Sequence, residues 1–287
     1  MTRRRPVRPA SADDLLTELG RLTAQALERA ELQQARVELA EALQRELLPG
    51  ALPELPGLRP AARYAPARHG LDIGGDWYDG FRLPDGSLAF SVGDVQGHDV
   101  EAAAFMGQVR VGLRAVAGAV TDPGEVLGRA NDLLLSMDCT LFATCTFLRY
   151  DPVTGELAAA RAGHVPAIWA TADGRFGTAE DEGGLPLGLL PGEVYPVTRR
   201  RLPVAGAFVL LTDGVVEGPS FPIEAGLKQV TRVLRAEVAA GIGTGRPMDP
   251  GELAAEIIKV ADLTGHADDA AVLVLCHDTP PARGGGR

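Results

Sequence analysis

Ala207-Phe208-Val209-Leu210-Leu211-Thr212-Asp213-Gly214 sets five consecutive apolar residues in front of a threonine, a carboxylate and a glycine. A short apolar run closed by a turn signal reads as a central strand buried in a sheet. A lone charge directly behind such a strand is buried at real cost unless it is paired or bound to a cation. Ala271-Val272-Leu273-Val274-Leu275 is a second run of this kind, with Asp268-Asp269 in front of it. Leu88-Ala89-Phe90-Ser91-Val92 follows the turn Pro84-Asp85-Gly86 and runs into Gly93-Asp94. Leu141 to Tyr150 reads as a further strand, returning through Asp151-Pro152-Val153-Thr154-Gly155 into Glu156 to Ala162.

Helices stand between and after these strands. Residues 99–117, 123–137, 224–240 and 250–263 carry helical patterns, and Asp122-Pro123 and Asp249-Pro250 are good helix openings. Strands paired with strands and helices in pairs point to an α+β sandwich rather than alternating βαβ units. Residues 12–48 read as a long N-terminal helix with Ser11 as its cap. Leu15, Leu19, Leu22 and Ala26 form one apolar stripe, and Leu32, Ala35, Leu39, Leu43 and Leu47 a second in a slipped register. That pattern fits a coiled coil with a stutter or two helical pieces, and it offers an apolar seam to a second copy of the chain. The alternative is that its second half packs on the core. The expected organisation is a basic tail over 1–11, the helix over 12–48, a Pro/Gly linker over 49–57, a globular domain over 58–277 and a disordered tail over 278–287. Glu180–Gly184 and Gly241–Pro247 read as mobile loops, either of them a candidate gate.

The chain has 287 residues and a formal net charge of -10. An acidic chain argues against nucleic-acid binding, which draws its strength from Lys and Arg on phosphates. The basic cluster Arg3, Arg4, Arg5 and Arg8 is followed by Ser11-Ala12-Asp13-Asp14 rather than an apolar segment, so it does not read as a secretion signal. No stretch reaches the roughly 18 apolar residues of a membrane span. Cys139, Cys145 and Cys276 fit no metal spacing and read as buried thiols of a reducing cytoplasm.

The acidic residues carry the chemistry. Gly74-Gly75-Asp76, Gly93-Asp94, Thr212-Asp213-Gly214 and Asp268-Asp269 each lie at a strand end or in a turn, beside glycine or a second aspartate. Asp85 and Asp151 read as ordinary turn residues. Carboxylates at the ends of neighbouring strands converge, repel one another and need a cation; oxygen ligands select Mg²⁺ or Mn²⁺. Two such ions ~3.5–4 Å apart can clamp a phosphoryl group and activate a bridging water for in-line attack.

Ile73-Gly74-Gly75-Asp76-Trp77-Tyr78-Asp79, Val92-Gly93-Asp94-Val95-Gln96-Gly97-His98, Ala162-Gly163-His164-Val165-Pro166, Leu211-Thr212-Asp213-Gly214-Val215-Val216-Glu217 and Asp268-Asp269, in this order, resemble the PPM-type (protein phosphatase type 2C-like) metal-dependent phosphatases. The closer likeness is to their bacterial SpoIIE-like branch. Leu43-Gln44-Arg45-Glu46-Leu47-Leu48-Pro49 is similar to the helix that leads into that domain. The resemblance implies two antiparallel sheets with helices on both outer faces, and a centre for two Mn²⁺ or Mg²⁺ ions at one edge. It implies that Asp94 bridges both metals, that the Val95 carbonyl binds the first, and that Asp213 and Asp268 hold the second. Asp76 would act on a metal directly or through water, and Asp269 is the second half of its pair. Asp94 and Asp76 are thus the candidate catalytic carboxylates. Trp77, Tyr78 and Asp79 would shape the cleft, and His98 and His164 would hold loops by hydrogen bonds. Asp99 stands where the family often has glycine and reads as a helix cap; Ala270 and Ala271 follow Asp268-Asp269 where a polar residue is usual.

The activity implied is hydrolysis of phosphoserine or phosphothreonine on a regulatory protein, such as an anti-sigma-factor antagonist, by a metal-bridging hydroxide. Almost nothing precedes Ser11, so no sensory domain is expected within this chain, and control is expected from dimerisation or a partner at the 12–48 helix. The alternatives are a non-catalytic scaffold on the same fold and a small-molecule phosphatase; no GxxxxGK[ST] loop is present to support nucleotide binding.

Overall fold

The computed structural model describes residues 11–67, 74–97, 100–137, 140–202, 204–244, 248–265 and 268–278. Ile73, His98, Asp99, Cys139, residues 245–247 of the second candidate loop and most of both tails, all singled out above, lie outside the described residues. Helix α1 (Ala12–Leu47) is followed by β1 (Leu58–Ala65), β2 (Trp77–Arg82) and β3 (Leu88–Val95). Next come α2 (Val100–Ala117), α3 (Pro123–Leu135), β4 (Ala143–Asp151), β5 (Glu156–Ala162), β6 (Ile168–Thr171), β7 (Phe176–Thr178) and β8 (Val197–Arg201). The chain closes with β9 (Gly206–Leu211), α4 (Ile223–Thr244), α5 (Pro250–Ile258), α6 (Ala261–Thr264) and β10 (Ala270–His277).

These strands form two five-stranded sheets, ordered β1-β10-β9-β6-β7 and β2-β3-β4-β5-β8. Every strand pair is antiparallel. Inward side chains such as Phe90, Leu148, Leu157, Phe208, Leu210, Leu273 and Leu275 meet between the sheets. On the outer face of the first sheet, Val209, Leu211, Val272 and Val274 pack with Val230 and Leu234 of α4 and Leu253 and Ile257 of α5. On the outer face of the second, Ala89, Phe147 and Ala160 pack with Met106 and Leu113 of α2 and Leu127 of α3. Both sheets are therefore covered on two sides, which is why their central strands are continuous apolar runs. The fold is an α+β sandwich in four layers: helix, sheet, sheet, helix.

The helix openings are made as the sequence suggests. Asp122 Oδ1 accepts hydrogen bonds from the backbone N–H groups of Gly124 and Glu125 at 3.1 and 3.2 Å. Asp249 Oδ1 does the same for Gly251 and Glu252 at 2.7 and 3.0 Å. Each cap satisfies donors that a helix leaves orphaned at its start.

Several details differ from the sequence reading. The 250–263 helix is two pieces, α5 and α6, with a break at Lys259–Val260. Residues 12–47 form one continuous helix. The linker has no regular element, yet Leu52 and Leu55 pack against the core between the sheets. Glu180–Gly184 is pinned: Arg161 donates to the Asp181 carbonyl at 2.6 Å, and the Asp181 carboxylate pairs with Arg200. Residues 241–244 belong to α4. Cys145 and Cys276 are buried free thiols, as read. Among the described residues, no helix is long and apolar enough to cross a membrane.

Candidate metal centre

The acidic turns are gathered by strand register. Trp77 pairs with Gly93, so Asp76, one residue before β2, comes beside Asp94 near the end of β3. Leu211 pairs with Val272, so Asp213, two residues past β9, lies at the same edge as Asp268 and Asp269, which lead into β10. Carboxylate oxygens of Asp76, Asp94 and Asp213 all lie within 4.8 Å of one another. The Trp77–Gly93 pairing needs glycine, because a Cβ at residue 93 would stand 2.2 Å from the Trp77 ring. Gly75 is required for the same kind of reason: a Cβ there would meet the Val95 carbonyl oxygen at 2.5 Å.

Each carboxylate has its own support. Asp76 is 2 % exposed and accepts a 2.6 Å hydrogen bond from the Thr212 hydroxyl. That hydroxyl accepts in turn from the Ala271 N–H at 2.8 Å, so β9 and β10 both fix Asp76. Asp213 opens a 3₁₀ turn over Asp213–Val215, and its carboxylate accepts from the Gly214 N–H at 2.9 Å. Asp268 is exposed on the same rim, and its carboxylate accepts from the Asp269 N–H at 2.8 Å. Asp269 is 1 % exposed and accepts from the Ala67 N–H at 2.9 Å. Its other oxygen and the Tyr64 hydroxyl flank Gly74, where a Cβ would meet them at 2.0 and 2.2 Å. The two adjacent aspartates thus occupy different surroundings: Asp268 at the rim with Asp94 and Asp213, Asp269 packed on the chain that enters from β1.

Burial and mutual repulsion both oppose ionisation here. Burial first, then the charge of Asp94, drives the Asp76 pKa well up. Asp94 is pushed up to about 8 by burial, then by Asp213 and Asp268. Asp213 is raised by burial and by Asp268. An oxygen-only group this reluctant to carry its charges is what a hard divalent cation compensates, so the residues present fit Mg²⁺ or Mn²⁺.

The neighbouring residues serve geometry. Asp79 is 1 % exposed and takes hydrogen bonds from Arg114 Nε at 2.7 Å and Nη2 at 2.6 Å, while Arg110 lies 3.4 Å away. It ties β2 to α2. The Trp77 indole N–H donates to Ser91 Oγ at 3.2 Å. His164 is 3 % exposed, its Nδ1 lies 2.8 Å from the Thr144 hydroxyl, and burial pushes its pKa down to about 3. Near neutral pH it is an uncharged, loop-holding imidazole. Sequence reasoning missed Thr212, Tyr64 and the two arginines; the Thr before Asp213 was the only signal among these residues, a hydroxyl placed between two buried strand ends.

A four-layer αββα sandwich with an acidic cluster at one sheet edge defines the PP2C-type phosphatase fold. A model of the stage II sporulation protein E (SpoIIE) family matches residues 84–278, so the chain belongs to that family. The crystal structure of the RsbU and RsbW domains of Rv1364c from Mycobacterium tuberculosis is similar at 30 % identity and a TM-score of 0.70, covering 82 % of this chain and 64 % of that one. The SiaA PP2C domain of Pseudomonas aeruginosa superposes with a TM-score of 0.68 at 20 % identity, over 88 % of this chain and 100 % of that one. Protein IcfG of Synechocystis is 28 % identical over 213 residues, 64 % of this chain but only 33 % of its own length. The chain therefore spans about a third of that curated relative.

The ionisation penalty can be tested by removing one charge. Asp94 has a folded-state pKa above the ordinary carboxylate value of 3.8. Its ionisation therefore destabilises the folded protein progressively as pH rises from about 4 to about 8. In EDTA, Asp94→Asn should stabilise the protein least at about pH 4, and by at least about 1.4 kcal/mol more at about pH 8. Denaturant melts at the two pH values check this; a pH-independent effect, or a loss of stability, would contradict it.

Proposed function

We propose that this chain is a divalent-cation-dependent phosphatase that hydrolyses phosphoserine or phosphothreonine on a regulatory protein. The observation that carries the reading is the meeting of Asp76, Asp94 and Asp213 within 4.8 Å at the open edge of the sandwich. Asp94, Asp213, Asp268 and the Val95 carbonyl would hold the cations. Asp76, held by Thr212, would complete the set. We assign the ligand role at the 268–269 pair to Asp268, because Asp269 is engaged with Ala67 and Tyr64. Bound cations supply Lewis acidity toward a phosphoryl oxygen and lower the pKa of water. The protein's own part is to hold five oxygen donors in place, with second contacts from Thr212, Gly214 and the Asp269 N–H fixing their orientation. His164 carries no proton as an imidazolium near neutral pH, so its part is to hold the loop at Thr144.

The catalytic domain in this reading is 58–277, with 12–48 a separate regulatory helix. Leu15, Leu16, Leu19, Leu22, Leu27 and Leu32 on α1 are 50–66 % exposed, which fits a seam for a second copy. The last turn of α1 instead docks on the core: Leu47 packs against Ala103, and its Cδ2 lies 3.3 Å from where a Cβ on Gly107 would stand. Pairing of two α1 helices would thereby bear on α2, the helix that follows the Asp94 loop. The relative from M. tuberculosis joins RsbU and RsbW domains in one protein. That relation supports a regulatory protein as partner.

Turnover of a phosphoserine protein and of p-nitrophenyl phosphate, with Mn²⁺, Mg²⁺ or EDTA, tests the reading. Metal-dependent turnover should fall roughly 10²- to 10³-fold or more in Asp94→Ala and Asp213→Ala, the several kcal/mol that a cation clamp supplies. A folded wild type that binds Mn²⁺ but turns over neither substrate would favour a scaffold. Removal of residues 1–40 should change both the oligomeric state and the rate; if neither changes, α1 has no regulatory part.

A further inference from the structure

The clustered carboxylates come from both sheets. Asp94 lies near the end of β3 in the second sheet, and Asp213 follows β9 of the first. Whatever holds these two strand ends at a fixed separation therefore fixes the spacing of the carboxylates. The Thr212 hydroxyl on Asp76 is one tie between the sheets, but Asp76 is itself a candidate ligand. A second tie runs through His164, built from residues that are not candidate ligands.

His164 stands where the chain crosses from one sheet to the other. Gly163, just past β5, has φ 63°, a left-handed turn that favours glycine. A Cβ there would also meet the Pro186 ring at 2.6 Å. The chain then enters β6, which pairs with β9 through Ile168 and Val209, so the residues before β6 approach the end of β9. Arg161 Nη1 donates to the His164 carbonyl at 2.7 Å and fixes its backbone. On one side of the ring, Nδ1 lies 2.8 Å from the Thr144 hydroxyl. Thr144 pairs with Asp94 across β3 and β4, and such paired side chains share a face with Cβ atoms ~4.5–5.5 Å apart. On the other side, the Leu211 backbone carbonyl acts on the ring and partly offsets the fall in pKa that burial causes. Leu211 ends β9, two residues before Asp213.

The chemistry of these partners fixes the tautomer. A carbonyl only accepts, so the ring must donate toward Leu211. A neutral imidazole has one N–H and one lone-pair nitrogen, so Nδ1 accepts from the Thr144 hydroxyl and Nε2 carries the proton. Nε2 is buried and closes no hydrogen bond of full geometry among the described residues, so the Leu211 carbonyl reaches it through a longer or bent contact. A buried donor this short of partners is costly to move further from its acceptor, and that cost resists splaying of the two sheets.

We propose that His164 is a positioning residue: its imidazole spans the two sheets from Thr144, beside Asp94, to the Leu211 carbonyl, ahead of Asp213, and sets the carboxylate spacing that selects the cation. The role presupposes the cation-dependent reading of the site. Mg²⁺ demands near-ideal geometry at ~2.0–2.1 Å, whereas Ca²⁺ accepts ~2.3–2.6 Å in flexible arrangements. A site whose two halves can drift apart loses Mg²⁺ before it loses Ca²⁺.

The test is binding of Mg²⁺ and of Ca²⁺ to the full chain by calorimetry, with no phosphorylated substrate present. His164→Phe removes the imidazole but keeps a ring, and Thr144→Val removes the hydroxyl at nearly constant shape. Each should shift the ratio of affinities toward Ca²⁺ by at least about threefold, the effect of one lost hydrogen bond. The double variant should shift it no further than the larger single, because one tie is broken once. Nitrogen NMR of the wild type at neutral pH should find His164 protonated at Nε2, its signal assigned by its loss in His164→Phe. A ratio unshifted in either variant that folds would overturn the proposal, and Thr144→Val carries the test if His164→Phe does not fold. Protonation at Nδ1 would overturn it as well. A wild type that binds neither cation would remove the cation-dependent reading and this role with it, whereas cation binding with an unshifted ratio removes this role alone.

Discussion

Repulsion among carboxylates collected at one edge of the sandwich is the constraint on which the rest of the structure depends. Asp76, Asp94 and Asp213 are brought within 4.8 Å by strand register, and all three resist ionisation. Apolar burial must hold them together against that repulsion. It does so from three layers: the inter-sheet core, the α2/α3 face and the α4/α5 face. The costly group sits where the sheets end and solvent or a cation can reach it, while its supports are among the most buried residues of the chain.

The supports have a common logic. A hydroxyl or a backbone N–H from one strand end reaches the carboxylate of another, as Thr212 does to Asp76 and Gly214 to Asp213. The Asp79 pair with Arg114 and Arg110 fixes β2 to α2, so the residue that begins the β2 side of the centre cannot drift from the helix behind it. A buried charge held this way orients more than it stabilises. Glycine supplies the remaining freedom, at Gly75 and Gly93 for close approach rather than for unusual backbone angles.

Much of this was legible in the sequence, and for physical reasons. The apolar runs of β3, β9 and β10 are buried on both faces and so stand out without periodicity, and the Asp-Pro openings of α3 and α5 act as local caps whatever the fold. The acidic turns were visible because charge directly behind a buried strand needs an explanation. What escaped was set by distant partners. Strand β1 carries Arg59, Pro60 and Arg63, a composition tolerated because it is an edge strand beside β10. Strands β6, β7 and β8 are short, and β8 is mostly arginine, so only their sheet neighbours identify them. The difference between Asp268 and Asp269 depends on Tyr64 and Ala67, some 200 residues away in the chain (202 for the Ala67 contact). The pinned Glu180–Gly184 stretch likewise depends on Arg161 and Arg200.

The central claim is that the clustered carboxylates are a seat for cations. Its most direct test is anomalous diffraction from crystals of the full chain grown with Mn²⁺. Anomalous peaks are expected among Asp76, Asp94, Asp213 and Asp268, with Asp269 still bound to the Ala67 N–H. Density without a peak in that cluster, in crystals whose solvent holds ample Mn²⁺, would contradict it.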